Sequence, residues 1–337
     1  MTKNNKKKKK QRRLLLAIYA LIGTAALLGT ATYAWFTANK TVSVNPIDVN
    51  VTAKSGLQIS ADGQNWKSIL TNTDITGASG NYKAAVNQIP NTLEPVSSVG
   101  TIDTTGKMEM FLGTVTANDE GNWILSSTKS TETNASGDAS TGAFVAYDLF
   151  LKSETATKIY LGADSKIVFA DAKDTGIKNA TRVGFVTLGH TTSDDTIANI
   201  QGLNTGTSSA VKIWEPNYDV HTSFGVANAR DTYAINTLIA AAGNAAVTYD
   251  GIKATFDKAA GITLGNAKQA SFADYFKTVT PNIKTPETNT DSNELLDLEA
   301  GVTKIRVYMW IEGQDVDCEN NASGGKISFS LKMSTEA

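Results

Sequence analysis

With a single cysteine, Cys318, the chain cannot close a disulfide within itself, and the thiol reads as a small buried side chain beside a strand. The two histidines, His190 in GHTTSDD and His221 in YDVHTSF, belong to no His-Glu-x-x-His helix, the arrangement that holds zinc and activates water in zincin proteases. A Gly-x-Ser-x-Gly nucleophile turn and a phosphate-binding loop are missing too. These gaps leave no catalytic residue, cofactor site or metal ligand to assign, and the expected class is not an enzyme. Proline is scarce, at six residues, so long edge-breaking segments are few.

What is present starts with residues 14–34, LLLAIYALIGTAALLGTATYA, 21 residues without a charge. As a helix this run spans about 31 Å, enough to cross the hydrocarbon core of a bilayer. Eight Lys and Arg residues precede it, and positive flanks stay on the cytoplasmic side, so residues beyond 34 are expected outside. The length suits an anchor through residues 14–34. The small residues Thr32 and Ala34 at the end of the run suit a signal peptidase, and a cut after Ala34 is favoured. Residues 1–34 hold eight of the 31 basic residues and none of the 33 acidic ones, so the remainder carries a formal net charge of −10. That argues against nucleic acid and anionic membrane surfaces as partners, and is compatible with solubility or cation binding.

The junction TYAWFTANKTV resembles the leader junction of exported proteins of Gram-positive bacteria that depend on the signal peptidase SipW, the TasA and camelysin type. Gly29, Thr32, Tyr33, Ala34, Trp35 and Phe36 carry the match. The closing segment IRVYMWIEGQDVDCENNASGGKISFSLKM is similar to the last strands of many exported proteins with such leaders. The resemblance implies a jelly-roll-like β-sandwich outside the cell, in some members polymerised into matrix fibres. Signal peptidase would be a partner during export, and self-association or binding of other surface proteins would follow. Some camelysin-type relatives are described as proteases, but no motif for that activity can be carried onto residues of this chain.

Alternating apolar residues predict many half-buried strands. Val42, Val44, Ile47, Val49 and Val51 form the first series, broken at Pro46, and LQISADGQNWKSIL reads as a hairpin about Asp62-Gly63. Residues 108–115 and 122–128 form a second pair, followed by the low-complexity SSTKSTETNASGDASTG, expected to be a flexible loop. Strands follow at 144–152, 158–161, 166–169, 180–189 and 211–214, with Tyr147, Leu149 and Leu151 on one face. Two helices are expected at 232–242 and 267–279, the second with Phe272, Tyr275, Phe276 and Val279 on one face. Strands at 302–312 and 326–333 close the sheet.

The expected fold is therefore mainly β, a jelly-roll-like antiparallel sandwich with inserted helices behind an N-terminal apolar helix. Its parts are a leader or anchor at 1–34, a sandwich part at 35–189, an insertion with helices and strands at 190–300, and a closing strand pair at 301–337. Glu312, Asp315, Asp317 and Glu319 in WIEGQDVDCEN could converge on a hard cation, but an exposed, solvated acidic turn is the expected state, with little response to calcium. The expected function is an exported surface or matrix structural protein, assembling through Trp35, Phe36, Val42, Val44, Ile47 and Val49, an apolar arm freed by cleavage. The alternative is a surface binding module kept on the membrane by residues 14–34. Replacing Ala34 with Phe should block cutting and leave the protein in the membrane. Release of that variant with the same N-terminus, read by intact mass, would place the junction elsewhere.

Overall fold

A computed structural model describes residues 42–44, 48–52, 57–117, 119–121, 123–132, 141–169, 176–204, 211–218, 220–223, 225, 249–257, 262–263, 274–284, 291–318 and 326–335. The architecture is mainly β. Its longest element, β19 (Gly301–Ile311), explains the rest. The sequence GVTKIRVYMWI is rich in β-branched and aromatic residues, which suit a pleated surface. All 11 residues are buried, so this strand needs cover on both faces and not on one as alternation predicts.

The sheet containing β19 has six antiparallel strands. β19 lies between β13 (Thr181–Thr191) and β10 (Val145–Ser153); β14 (Val211–Trp214) flanks β13, while β3 (Gln58–Ser60) and β5 (Asn87–Gln88) flank β10. One face packs against an eight-stranded sheet. Through its middle runs β20 (Lys326–Thr335), paired antiparallel with β11 (Thr157–Leu161) and β12 (Lys166–Phe169), and β18 (Glu294–Leu298) extends that side. On its other side β20 pairs in parallel with β1 (Val42–Val44) and β2 (Asp48–Thr52), which carry β6 (Thr92–Leu93) and β4 (Ile69–Leu70). Ile305, Val307, Met309 and Ile311 of β19 meet Ile327, Phe329, Leu331 and Met333 of β20 in one apolar cluster. Each such fully buried side chain stabilises the fold by about 1.5–3 kcal/mol.

A third layer covers the opposite face. It consists of β7 (Val96–Ser97), β8 (Met110–Ala117), β9 (Trp123–Ser130) and β16 (Ile262–Thr263), together with the pair β15 (Tyr249–Ile252) and β17 (Phe276–Val279). Val96, Met108, Met110, Tyr249 and Val279 there pack on Ala146, Val186, Tyr308 and Trp310. Gly184 of β13 suits this contact, because a Cβ would stand a tight 3.3 Å from both Met108 and Trp310. Two short helices, α1 (Asn72–Thr76) and α2 (Ile197–Gly202), sit in connections.

The same face holds charge. Asp148 of β10 lies directly opposite Arg306 of β19, whose Nε donates to Asp148 Oδ1 at 2.7 Å and whose NH1 donates to Glu132 Oε1 at 2.9 Å. Tyr308 Oη donates to the same Glu132 oxygen at 2.9 Å, and Lys304 Nζ stands 3.5 Å from Asp148 Oδ2 while donating to Tyr82 Oη at 2.8 Å. Two cations thus meet two carboxylates. Burial opposes ionisation of Asp148, but Arg306 and Lys304 outweigh it and hold its carboxyl below the usual range. Burial lowers Lys304.

Several expectations change. The sandwich is not wholly antiparallel, since β1 and β2 run parallel to β20. The closing strands β19 and β20 face each other from different sheets, and the supposed insertion supplies β14 and β18 to the two main sheets. The 267–279 helix is corrected where it can be seen: residues 276–279 form β17, because pairing with β15 and packing of Phe276 and Tyr275 on Phe256 override a helical spacing. Glu132, in the tract read as flexible, is buried against Arg306. The hairpin about Asp62-Gly63 is present, with Gly63 at φ 69°, but its strands split between the two sheets. The 232–242 helix lies outside the described residues.

Changing Asp148 to Asn leaves Arg306 and Lys304 facing a neutral group, and should cost about 3–5 kcal/mol in urea unfolding. Because the folded carboxyl is held low, its contribution is present above about pH 4 and fades as the pH falls, so the variant should lose part of the wild-type acid sensitivity.

Candidate functional site

Beyond Ile311 the chain makes two successive turns, with Asp315 N donating to Glu312 O at 3.1 Å and Cys318 N to Asp315 O at 3.1 Å. Each acid steadies its own turn: Glu312 Oε1 accepts from Gln314 N at 3.1 Å, and Asp315 Oδ1 from Asp317 N at 2.8 Å. Glu312 Oε2 also accepts from Trp310 Nε1 at 3.0 Å and Ser98 N at 3.3 Å. Carboxylates are thereby turned inward at the end of the central strand. Glu312, Asp315 and Asp317 are all buried, which corrects the exposed, solvated turn expected from sequence. Tethering of the turn to Ala180 and Val96 through Glu312 N and Gly313 N explains the burial.

Three further side chains converge on this turn. Arg182 of β13 is fully buried; its NH1 donates to Asn179 O at 2.8 Å, and its NH2 contacts both Asp315 Oδ2 and Glu215 Oε1, the latter at 2.7 Å. Its guanidinium lies 4.8 Å from the centre of the Tyr249 ring, on the third layer. Glu215 follows β14 and is held by its backbone N–H on Ile283 O at 3.0 Å. His221 places Nδ1 3.2 Å from Asp317 Oδ2, and Asp317 also accepts from Thr222 N at 2.9 Å and Asn179 Nδ2 at 3.1 Å. Gly225 lets this segment approach, since a Cβ there would stand 2.3 Å from Val316 O.

Electrostatics here differ from the network around Arg306. Burial pushes Glu215 up to about 8 against the pull of Arg182, and pushes Glu312 up to about 7. Asp315 is raised by burial despite Arg182. Burial would lower His221, but Asp317 and Asp315 outweigh it and raise its pKa. Among the described residues, four carboxyl groups share one guanidinium and one imidazole. Ligating atoms of His221, Asp315 and Asp317 all lie within 4.8 Å of one another.

Set against protein-family models, curated proteins and solved structures, the chain matches none. The geometry must speak for itself. The cluster concentrates negative charge and nitrogen and oxygen donors in a closed place, which suits holding a cation or protons.

Of the residues singled out from sequence, Glu312, Asp315 and Asp317 come together, while Glu319 lies outside the described residues. Asp195, near His190 in the chain, is spent at the start of α2, accepting from Thr196 N at 2.7 Å and Asn199 Nδ2 at 2.7 Å, and is no part of the cluster. His190 meets Thr303 Oγ1 at 3.0 Å instead of the acidic turn. Cys318 is buried, as expected. Val42 and Val44 fall in β1 and Val49 in β2; Thr32, Ala34, Trp35, Phe36 and Ile47 lie outside the described residues, as do residues 14–34. Among the described residues no helix is long and apolar enough to cross a membrane. A groove of about 320 Å³ beside Asp62 and Asp74 offers no free carboxylate, since Asp62 accepts from Ser60, Gln64, Asn65 and Asn81, and Asp74 from Lys67 and Thr71.

Sequence reasoning missed Arg182, Glu215 and Asn179, and left His221 unconnected. The one available signal was Arg182 itself, a charge at the start of an apolar strand. Replacing Arg182 with Met should cost about 3–5 kcal/mol in denaturant unfolding, because it strands buried carboxylates. A loss under about 1 kcal/mol would show that the acids do not depend on the guanidinium.

Proposed function

We propose that this is an exported cell-surface or extracellular-matrix structural protein, a jelly-roll-like sandwich that assembles through its N-terminal strands. The reading is supported by the charged preface and apolar run at residues 1–34, by the acidic remainder and by the β-rich architecture. The observation that carries it is the seat of β1 and β2. These strands pair in parallel with β20 at seven registered positions within the chain, and among the described residues only the two-residue strands β6 and β4 lie beyond them. Main-chain pairing of this kind is blind to which molecule supplies the strand, and withdrawing β1 and β2 opens an edge on β20. Exchange between copies would use the same register, with Trp35 and Phe36 leading each arm.

Deleting residues 35–40 from the mature chain tests this. The shortened protein should remain folded but monomeric in light scattering and electron microscopy, while the chain starting at Trp35 builds oligomers or fibres. If the chain starting at Trp35 stays monomeric across concentration and pH, assembly fails as an account. A binding module tethered by residues 14–34 then explains the export features better.

A further inference from the structure

We infer that the buried cluster at the end of β19 binds one divalent metal cation of the zinc or manganese class, ligated by His221, Asp315 and Asp317. The inference is independent of assembly.

Charge is the first ground. On the same face of the same sheet, Asp148 and Glu132 are matched by Lys304 and Arg306. At the acidic turn, Glu215, Glu312, Asp315 and Asp317 gather about the one guanidinium of Arg182, with the His221 imidazole the other ionisable nitrogen in contact among the described residues. A bound divalent cation would be the counter-charge that lets these crowded carboxyl groups ionise together.

The second ground is unmet donors. His221 is 5% exposed, and its Nε2 has no hydrogen-bond partner among the described residues, although its Nδ1 reaches Asp317. Glu215 is 0% exposed; one oxygen meets the Arg182 NH2 that also holds Asp315, and Oε2 has no partner among the described residues. Asn179 Oδ1, on the residue whose amide donates to Asp317, is likewise unmet. Polar atoms this deeply buried, above all Glu215 Oε2 beside the Arg182–Asp315 pair, are destabilising unless something engages them.

Geometry and donor type set the class of ion. Metal bonds of about 2.0–2.2 Å bring donor atoms to within about 4 Å of one another, so atoms already within 4.8 Å need shifts of about 1 Å. Calcium and magnesium select oxygen ligands, whereas an imidazole nitrogen among carboxylates suits zinc or manganese. Arg182 keeps Asp315 oriented, and Thr222 and Asn179 keep Asp317 oriented.

The test uses the chain starting at Trp35, purified without chelator. Plasma mass spectrometry should find about one equivalent of zinc or manganese. Stripping the metal should lower the Tm, and zinc or manganese at a hundredfold excess over Kd should restore about 5 °C, with calcium restoring little. X-ray absorption of the zinc form should show a nitrogen and oxygen shell with imidazole scattering, a readout that needs no variant. His221→Gln, which keeps a donor for Asp317, should abolish the metal-dependent shift with an unchanged circular dichroism spectrum. Absence of metal together with a Tm unmoved by zinc and manganese would overturn the site. An equal response to calcium, or a full zinc shift in His221→Gln, would overturn the ligand set.

Discussion

Burial of β19 on both faces is the constraint from which the three layers follow. A strand whose odd-numbered residues Ile305, Val307, Met309 and Ile311 fill a sandwich core, and whose even-numbered residues include Tyr308 and Trp310, cannot leave either side to water. The eight-stranded sheet takes one face. The other face needs β8, β9, β15 and β17, short or separately hydrogen-bonded pieces that gain stability from lying on it.

Lys304, Arg306 and Glu312 make that second face demanding. A buried charge without its partner costs several kcal/mol, so the third layer must bring complementary groups and not only apolar cover. Glu132 reaches Arg306 from just beyond the end of β9, and Tyr249 of β15 presents its ring to the Arg182 guanidinium. Correct docking of the layers and correct charge pairing are thus one event. Such networks single out one arrangement among many apolar ones.

Strand positions were largely legible from alternation: residues 166–169 and 211–214 fall where the sequence puts them, and Tyr147, Leu149 and Leu151 do share a core face. The site was not. Alternating Lys304, Arg306 and Glu312 with apolar residues looks like one wet face, and nothing local reveals that Asp148, Glu132 and Arg182 lie over a hundred positions away yet in contact. Glu132 sits in a Ser- and Thr-rich tract whose composition argues for solvent, and only the opposing guanidinium overrides it. Phe272, Tyr275, Phe276 and Val279 satisfy a helical period by spacing alone, while the partner that makes residues 276–279 a strand, β15, is set by long-range pairing.

The parallel pairing of β1 and β2 with β20 has a mechanical meaning. Strands that enter and leave a sheet side by side in the same direction are loaded lengthwise when the chain ahead of Val42 and the chain beyond Thr335 are drawn apart. Every main-chain bond from Ser43 opposite Lys326 to Thr52 opposite Ser334 then resists together, in shear, where an antiparallel pair would peel open one bond at a time. Rupture under such a load is governed by the barrier to unfolding and not by equilibrium stability. Tension on the two ends would therefore load the seam of β1 and β2 with β20 in shear.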